Sequence, residues 1–111
     1  YENELPEHVK IMNVIMNEGT CDLVKLSTLL LEEKICEVLI EGGGKLNTSL
    51  LKEKLIDELN IFIGPSIIID NNALNVFNSN DSQVIVNSVQ LALLETQIFD
   101  SDIVLKYKVL Y

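Results

Sequence analysis

The residues best suited to chemistry lie together at 38–51. Val38, Leu39 and Ile40 lead to Glu41, then Gly42, Gly43 and Gly44, then Lys45, Leu46, Asn47, Thr48, Ser49, Leu50 and Leu51. An apolar run stops at a carboxylate, three glycines follow, and a helical pattern begins. Open α/β sheets bind ligands at such junctions, at the carboxyl ends of their strands. Glycines carry no Cβ and let a ligand approach the backbone closely. The first N–H groups of the following helix have no acceptor inside it, and their dipoles favour an anion such as phosphate. The spacing is not that of a P-loop, since Lys45 is followed by Leu46 and not by Ser or Thr, and it is not GxGxxG. From spacing alone, a tight turn that binds nothing is as good a reading.

Little else in the chain offers chemistry. His8 is the sole histidine, sits in a polar setting and supports no Ser-His-Asp arrangement. No CxxC, HxxxH or dense His/Asp cluster suggests a metal. Cys21 and Cys36 are too few for a disulfide framework and read as reduced, partly buried thiols of a cytoplasmic protein.

Composition narrows the partners. The 111 residues suffice for one domain and carry a net charge of −9, with eight lysines and no arginine. Nucleic acid and acidic membranes are poor partners for such a chain, because neutralising phosphates needs a cationic face. A phosphate-bearing ligand would rely on backbone N–H groups and one or two lysines. The chain is 48% hydrophobic, with a mean hydropathy of +0.26. That richness points to surface buried against a further segment or a second chain. No apolar run approaches the roughly 20 residues that cross a bilayer, and the start does not resemble a signal peptide.

The elements that must position the turn follow from periodicity. Residues 1–7 read as loop. Residues 9–16 are β-branched and apolar and predict a strand, with a turn at 17–20. Asp22 is an N-cap, and Leu23, Leu26, Leu29 and Leu30 recur at helical spacing toward an end near Lys34. This leucine stripe reads as core, and Glu32, Glu33 and Glu37 as a solvated face. Residues 35–40 predict the next strand, and the second helix runs from Gly44 or Lys45 to Ile56. Two strand–helix units imply parallel strands with crossover helices. Residues 57–63 alternate as a strand. Polar loops at 70–72 and 78–82 flank Leu74 to Phe77, a short strand or a helical turn. The asparagine richness there reads as compositional. From Gln83 the chain turns β-rich, and strands at 89–99 and 103–110 form a closing hairpin.

These residues resemble a family. Val38 to Asn47, Leu50-Leu51, Leu55-Ile56-Asp57-Glu58-Leu59 and Ile63-Gly64-Pro65 are similar to the riboflavin-biosynthesis reductase domain. That domain is the C-terminal part of the bifunctional bacterial deaminase-reductase and the stand-alone archaeal and fungal reductase. Cys21-Asp22-Leu23 with Leu29-Leu30 resembles one of its helix starts, and Phe99 to Tyr107 its final hairpin. The likeness runs in order over nearly the whole chain. It implies a single, partial reductase domain over 1–111. The implied fold is α/β, a dihydrofolate-reductase-like mixed sheet with crossover helices, of which this is the C-terminal half. It implies NADPH-dependent reduction of the ribosylamino side chain of a pyrimidine 5′-phosphate to ribitylamino. The open strand edges of such a half-sheet predict self-association, as a homodimer, to cover them. By the resemblance Glu41 contacts substrate, and Gly42, Gly43, Gly44, Lys45 and Leu46 hold the cofactor. It gives no catalytic residue.

The chain departs from the pattern at two points. Lys45 stands where Thr or Ser is frequent, and Ile69-Asp70 stands where the family has a glycine. The full domain is about twice as long, and its other half would carry the early strands, most substrate contacts and the loop that reads the cofactor's 2′-phosphate. Two alternatives stand beside this reading. One is a non-catalytic binding or dimerisation module that inherited the turn. The other is a dihydrofolate reductase, which Glu41 and Asp57-Glu58 fit poorly.

Overall fold

The computed structural model describes residues 6, 8–14, 16–17, 20–78 and 88–111. The chain divides into two compact units, residues 1–38 and 39–111.

In the first unit, β1 (Met16–Asn17) pairs antiparallel with β2 (Thr20–Cys21). Of the described residues in the strand expected over 9–16, Met16 alone enters a ladder. Val9 and Ile11 have strand-forming side chains but remain 43% and 47% exposed. Helix α1 (Leu23–Glu32) starts as its sequence predicts: Asp22 has extended backbone, and its carboxylate accepts the Lys25 N–H at 2.8 Å. Its leucine stripe is less covered than a core stripe should be. Leu23, Leu26, Leu29 and Leu30 are half-buried, Leu31 is exposed, and no residue of the helix is fully buried. Glu33 pairs with Lys10. Both cysteines are free thiols and are exposed, not partly buried.

Helix α1 ends where Lys34 turns to φ 63°. The Lys34 N–H then donates to the Leu31 carbonyl and the Ile35 N–H to the Leu30 carbonyl, both at 2.9 Å. These two bonds satisfy carbonyls that the last turn would leave bare. Lysine suits the negative end of the helix dipole, but this backbone region is one that glycine enters without a Cβ penalty. Lys34→Gly is therefore expected to raise stability by about 0.5–1 kcal/mol, read as a higher melting temperature with undiminished helical circular dichroism.

In the second unit, α2 (Gly44–Lys52) stops four residues before the expected end at Ile56. The cause is the same closure. Lys54 turns to φ 57°, its N–H donates to Leu51 at 3.1 Å, and the Leu55 N–H donates to Leu50 at 2.9 Å. Three antiparallel strands follow: β3 (Glu58–Ile63), β4 (Gln90–Phe99) and β5 (Asp102–Leu110), in the order β3–β5–β4. The hairpin pairs Phe99 with Asp102 across the two-residue loop Asp100-Ser101. Asp100 takes φ 52°, the positive value that primed hairpin turns require at their first central residue. A register shift between Leu93 and Glu95 bulges β4.

The strand expected over 35–40 belongs to no ladder, and Leu39 is 80% exposed. All pairings among the described residues are antiparallel, so the parallel strands of the expected mixed sheet are not formed within them. A strand exists through its neighbour's hydrogen bonds, and no described strand lies beside 35–40. Residues 74–75 take no regular structure and residues 76–77 form a bend, so neither the expected strand nor the helical turn is present. The β-rich stretch expected from Gln83 lies, up to residue 87, outside the described residues, as does most of the loop expected at 78–82.

The second unit is held by few groups. Among the described residues only Leu50, Ile56 and Val109 are buried. The end of β5 is stitched to the segment after α2. The Val109 N–H donates to the Asp57 carbonyl at 2.9 Å, and the Tyr111 hydroxyl accepts the Ile56 N–H and donates to the Ile56 carbonyl. Lys54 lies 5.9 Å from the Tyr111 ring centre, within cation–π range. The Lys106–Glu58 pair is half in solvent and contributes little. Phe62, Ile67, Ile68, Ile69 and Ile98 are all more than 70% exposed. No helix among the described residues is long and apolar enough to cross a membrane.

Candidate functional site

The glycine turn opens α2. Gly43 is its N-cap, with φ −82° and ψ 171°, and offers no side-chain hydrogen bond. The first intrahelical bond runs from the Asn47 N–H to the Gly43 carbonyl at 3.1 Å. Helix geometry leaves the N–H groups of Gly44, Lys45 and Leu46 without an intrahelical acceptor. The first turn contains no acidic side chain that would compensate the positive end of the dipole. It carries Lys45 instead, and Lys45 and Leu46 are both exposed. A nine-residue helix with this start is electrostatically suited to an anion.

The three glycines have different surroundings. A Cβ at Gly42 would meet Leu46 Cδ2 at 2.6 Å, the tip of a flexible side chain. A Cβ at Gly44 would meet the Asn75 carbonyl oxygen at 2.5 Å, which is backbone. A Cβ at Gly43 would meet nothing within 4 Å. Close approach at 42 and 44 is thus made by the protein itself. Of the three, only position 43 meets no described atom within 4 Å, and it sits beside the amides that lack an intrahelical acceptor. Glu41, two residues earlier, is exposed.

Sequence reasoning missed the neighbours of this turn. Asn47 Nδ2 donates to the Val76 carbonyl at 2.9 Å. The Thr48 hydroxyl donates to the Gly44 carbonyl at 2.7 Å and accepts the Asn78 N–H at 2.8 Å. Asn78 N–H also reaches the Gly44 carbonyl at 3.1 Å. The stretch read as merely asparagine-rich is thus docked on the first turn of α2. Further along it, the Asp70 carboxylate accepts the Asn72 N–H at 2.8 Å, a local turn of the kind aspartate favours. No group of three or more His, Cys, Asp or Glu side chains among the described residues is placed to hold a metal.

An α/β chain with a glycine turn opening its second helix and an antiparallel closing hairpin matches a known domain family. The chain belongs to the RibD C-terminal domain family, whose model matches residues 1–105. It is 43% identical over 60 residues to the riboflavin biosynthesis protein RibD of Chlamydia pneumoniae, a match covering 51% of this chain and 16% of that protein. It is 32% identical over 68 residues to the 2,5-diamino-6-ribosylamino-4(3H)-pyrimidinone 5′-phosphate reductase of Archaeoglobus fulgidus, covering 60% and 31% of the two chains. A solved structure of Acinetobacter baumannii RibD superposes with a TM-score of 0.69 at 28% identity, over 84% of this chain and 27% of that one. The matched stretch is less than a third of each relative's length.

Proposed function

We propose that this chain carries the cofactor-binding turn of an NADPH-dependent reductase of riboflavin biosynthesis. The reaction reduces the ribosylamino side chain of a pyrimidine 5′-phosphate to ribitylamino. One observation carries the reading: the open space at Gly43 beside the amides of Gly44, Lys45 and Leu46, in a chain of this family. Those amides would hold the cofactor diphosphate, with the Lys45 ammonium adding charge. When bound, the nicotinamide would supply a hydride to the sugar carbon as its bond to the ring oxygen breaks, and that oxygen would take a proton from solvent. Glu41 would bind sugar hydroxyls or the substrate's ring nitrogen. The protein's task is orientation, not covalent chemistry.

We further propose that two copies associate through one exposed face of the second unit's sheet, the face that carries Ile63, Ile98 and Ile103, in a soluble, cytoplasmic enzyme. Covering such residues removes a patch that single chains seldom expose.

The test is titration of NADPH into the chain, followed by 15N amide shifts. Shifts at residues 42–46 are expected. Because the chain spans so little of its relatives, single-turnover oxidation of NADPH by this chain alone is expected to be incomplete. Absence of any shift at 42–46 would overturn the reading. Absence of binding together with tight self-association would favour a dimerisation module, which the exposed apolar sheet also suits.

A further inference from the structure

We propose that Asn47 and Thr48 are positioning residues for the cofactor: they hold residues 75–78 against the first turn of α2 and thereby fix the direction of the Gly44, Lys45 and Leu46 amides. This rests on the reading of that turn as the diphosphate site.

The clamp joins parts of the sequence 29 and 30 residues apart. It uses the Asn47 amide on Val76, and the Thr48 hydroxyl on Asn78. The Thr48 hydroxyl bond back to the Gly44 carbonyl orients its oxygen to receive the Asn78 N–H. The Asn75 carbonyl packs where a Gly44 Cβ would be, so the two backbones meet without a side chain between them. Helix starts are ordinarily secured by a local cap, but here Gly43 provides none. A threonine that bonds its own i−4 carbonyl gains the helix little by itself. Closing a loop of this length also has an entropic cost. The arrangement therefore serves more than starting a helix. A first turn tied at three points to a second segment cannot fray, and its amides are preorganised for whatever they bind.

The test compares Asn47→Ala, Thr48→Val and Thr48→Ser with the unaltered chain. Thr48→Val keeps the shape and loses the hydroxyl, while Thr48→Ser keeps the hydroxyl. NADPH affinity is read from the amide titration, clamp integrity from hydrogen exchange of the Asn78 N–H, and folding from urea midpoints. Asn47→Ala and Thr48→Val are expected to weaken NADPH about tenfold, the loss that matches one misdirected hydrogen bond to a charged group. They should also speed exchange at Asn78, and Thr48→Ser should restore both. Unchanged NADPH affinity in Thr48→Val and Asn47→Ala, with the unaltered chain binding at 42–46, would overturn the clamp's role alone. So would a Thr48→Ser variant that binds as weakly as Thr48→Val. No binding at 42–46 by the unaltered chain would overturn both the clamp's role and the reading beneath it.

Discussion

Replacing Gly43 with aspartate is expected to stabilise the chain slightly and to abolish useful NADPH binding. The backbone at 43 is extended, a region any residue adopts, and a Cβ there meets nothing within 4 Å. Aspartate is a better N-cap than glycine by a few tenths of a kcal/mol, and a carboxylate at a helix N-terminus gains about 0.3–1 kcal/mol more. The same carboxylate would accept the Lys45 or Leu46 N–H and repel an incoming diphosphate. Loss of one or two charge-assisted hydrogen bonds, each about 1.5–3 kcal/mol, amounts to roughly a 100-fold weaker affinity. Urea unfolding and NADPH titration on the one variant measure the two effects together. Their opposite signs matter, because misfolding cannot mimic them. Undiminished binding by Gly43→Asp would move the cofactor away from this turn.

Leu50→Ala is expected to cost the second unit about 2–4 kcal/mol, the range for truncating a buried leucine. Leu50 is one of only three buried apolar side chains among the described residues, so few neighbours can collapse into the space it leaves. Its carbonyl also accepts the Leu55 N–H that closes α2. Domains of this size hold only about 5–15 kcal/mol in total, so the loss should shift the urea midpoint strongly. A shift of under about 1 kcal/mol would mean that the buried set is larger than Leu50, Ile56 and Val109.

The parts of the fold that were legible in the sequence are those settled within a few residues. Asp22 caps α1 because its acceptor lies three residues from the N–H that needs it. The closing hairpin is legible because two alternating runs flank a loop whose Asp100 tolerates positive φ. The early end of α2 was hidden, because Lys54 performs a turn that glycine or asparagine usually announces. Residues 9–16 and 35–40 have the side chains of strands, but pairing is a relation between segments and cannot be read from one of them.

The site divides in the same way. The glycine run is visible as permissive backbone, and the resemblance supplied a ligand for it. Which glycine faces the protein and which faces open space depends on Leu46 and on the Asn75 carbonyl, and the latter lies 31 residues beyond Gly44. The Asn47 and Thr48 bonds were illegible for that reason, and because an asparagine-rich stretch carries little pattern of its own.

The packing of Asn75 onto Gly44 limits how this turn could be reused in protein design. Residues 41–46 are not a transplantable cassette. Grafted onto another strand–helix junction, Gly44 would lose the backbone that fills the space above it and become an ordinary flexible helix start. A designer wanting the same pinned helix start would have to import residues 75–78 together with Asn47 and Thr48, whose side chains anchor them.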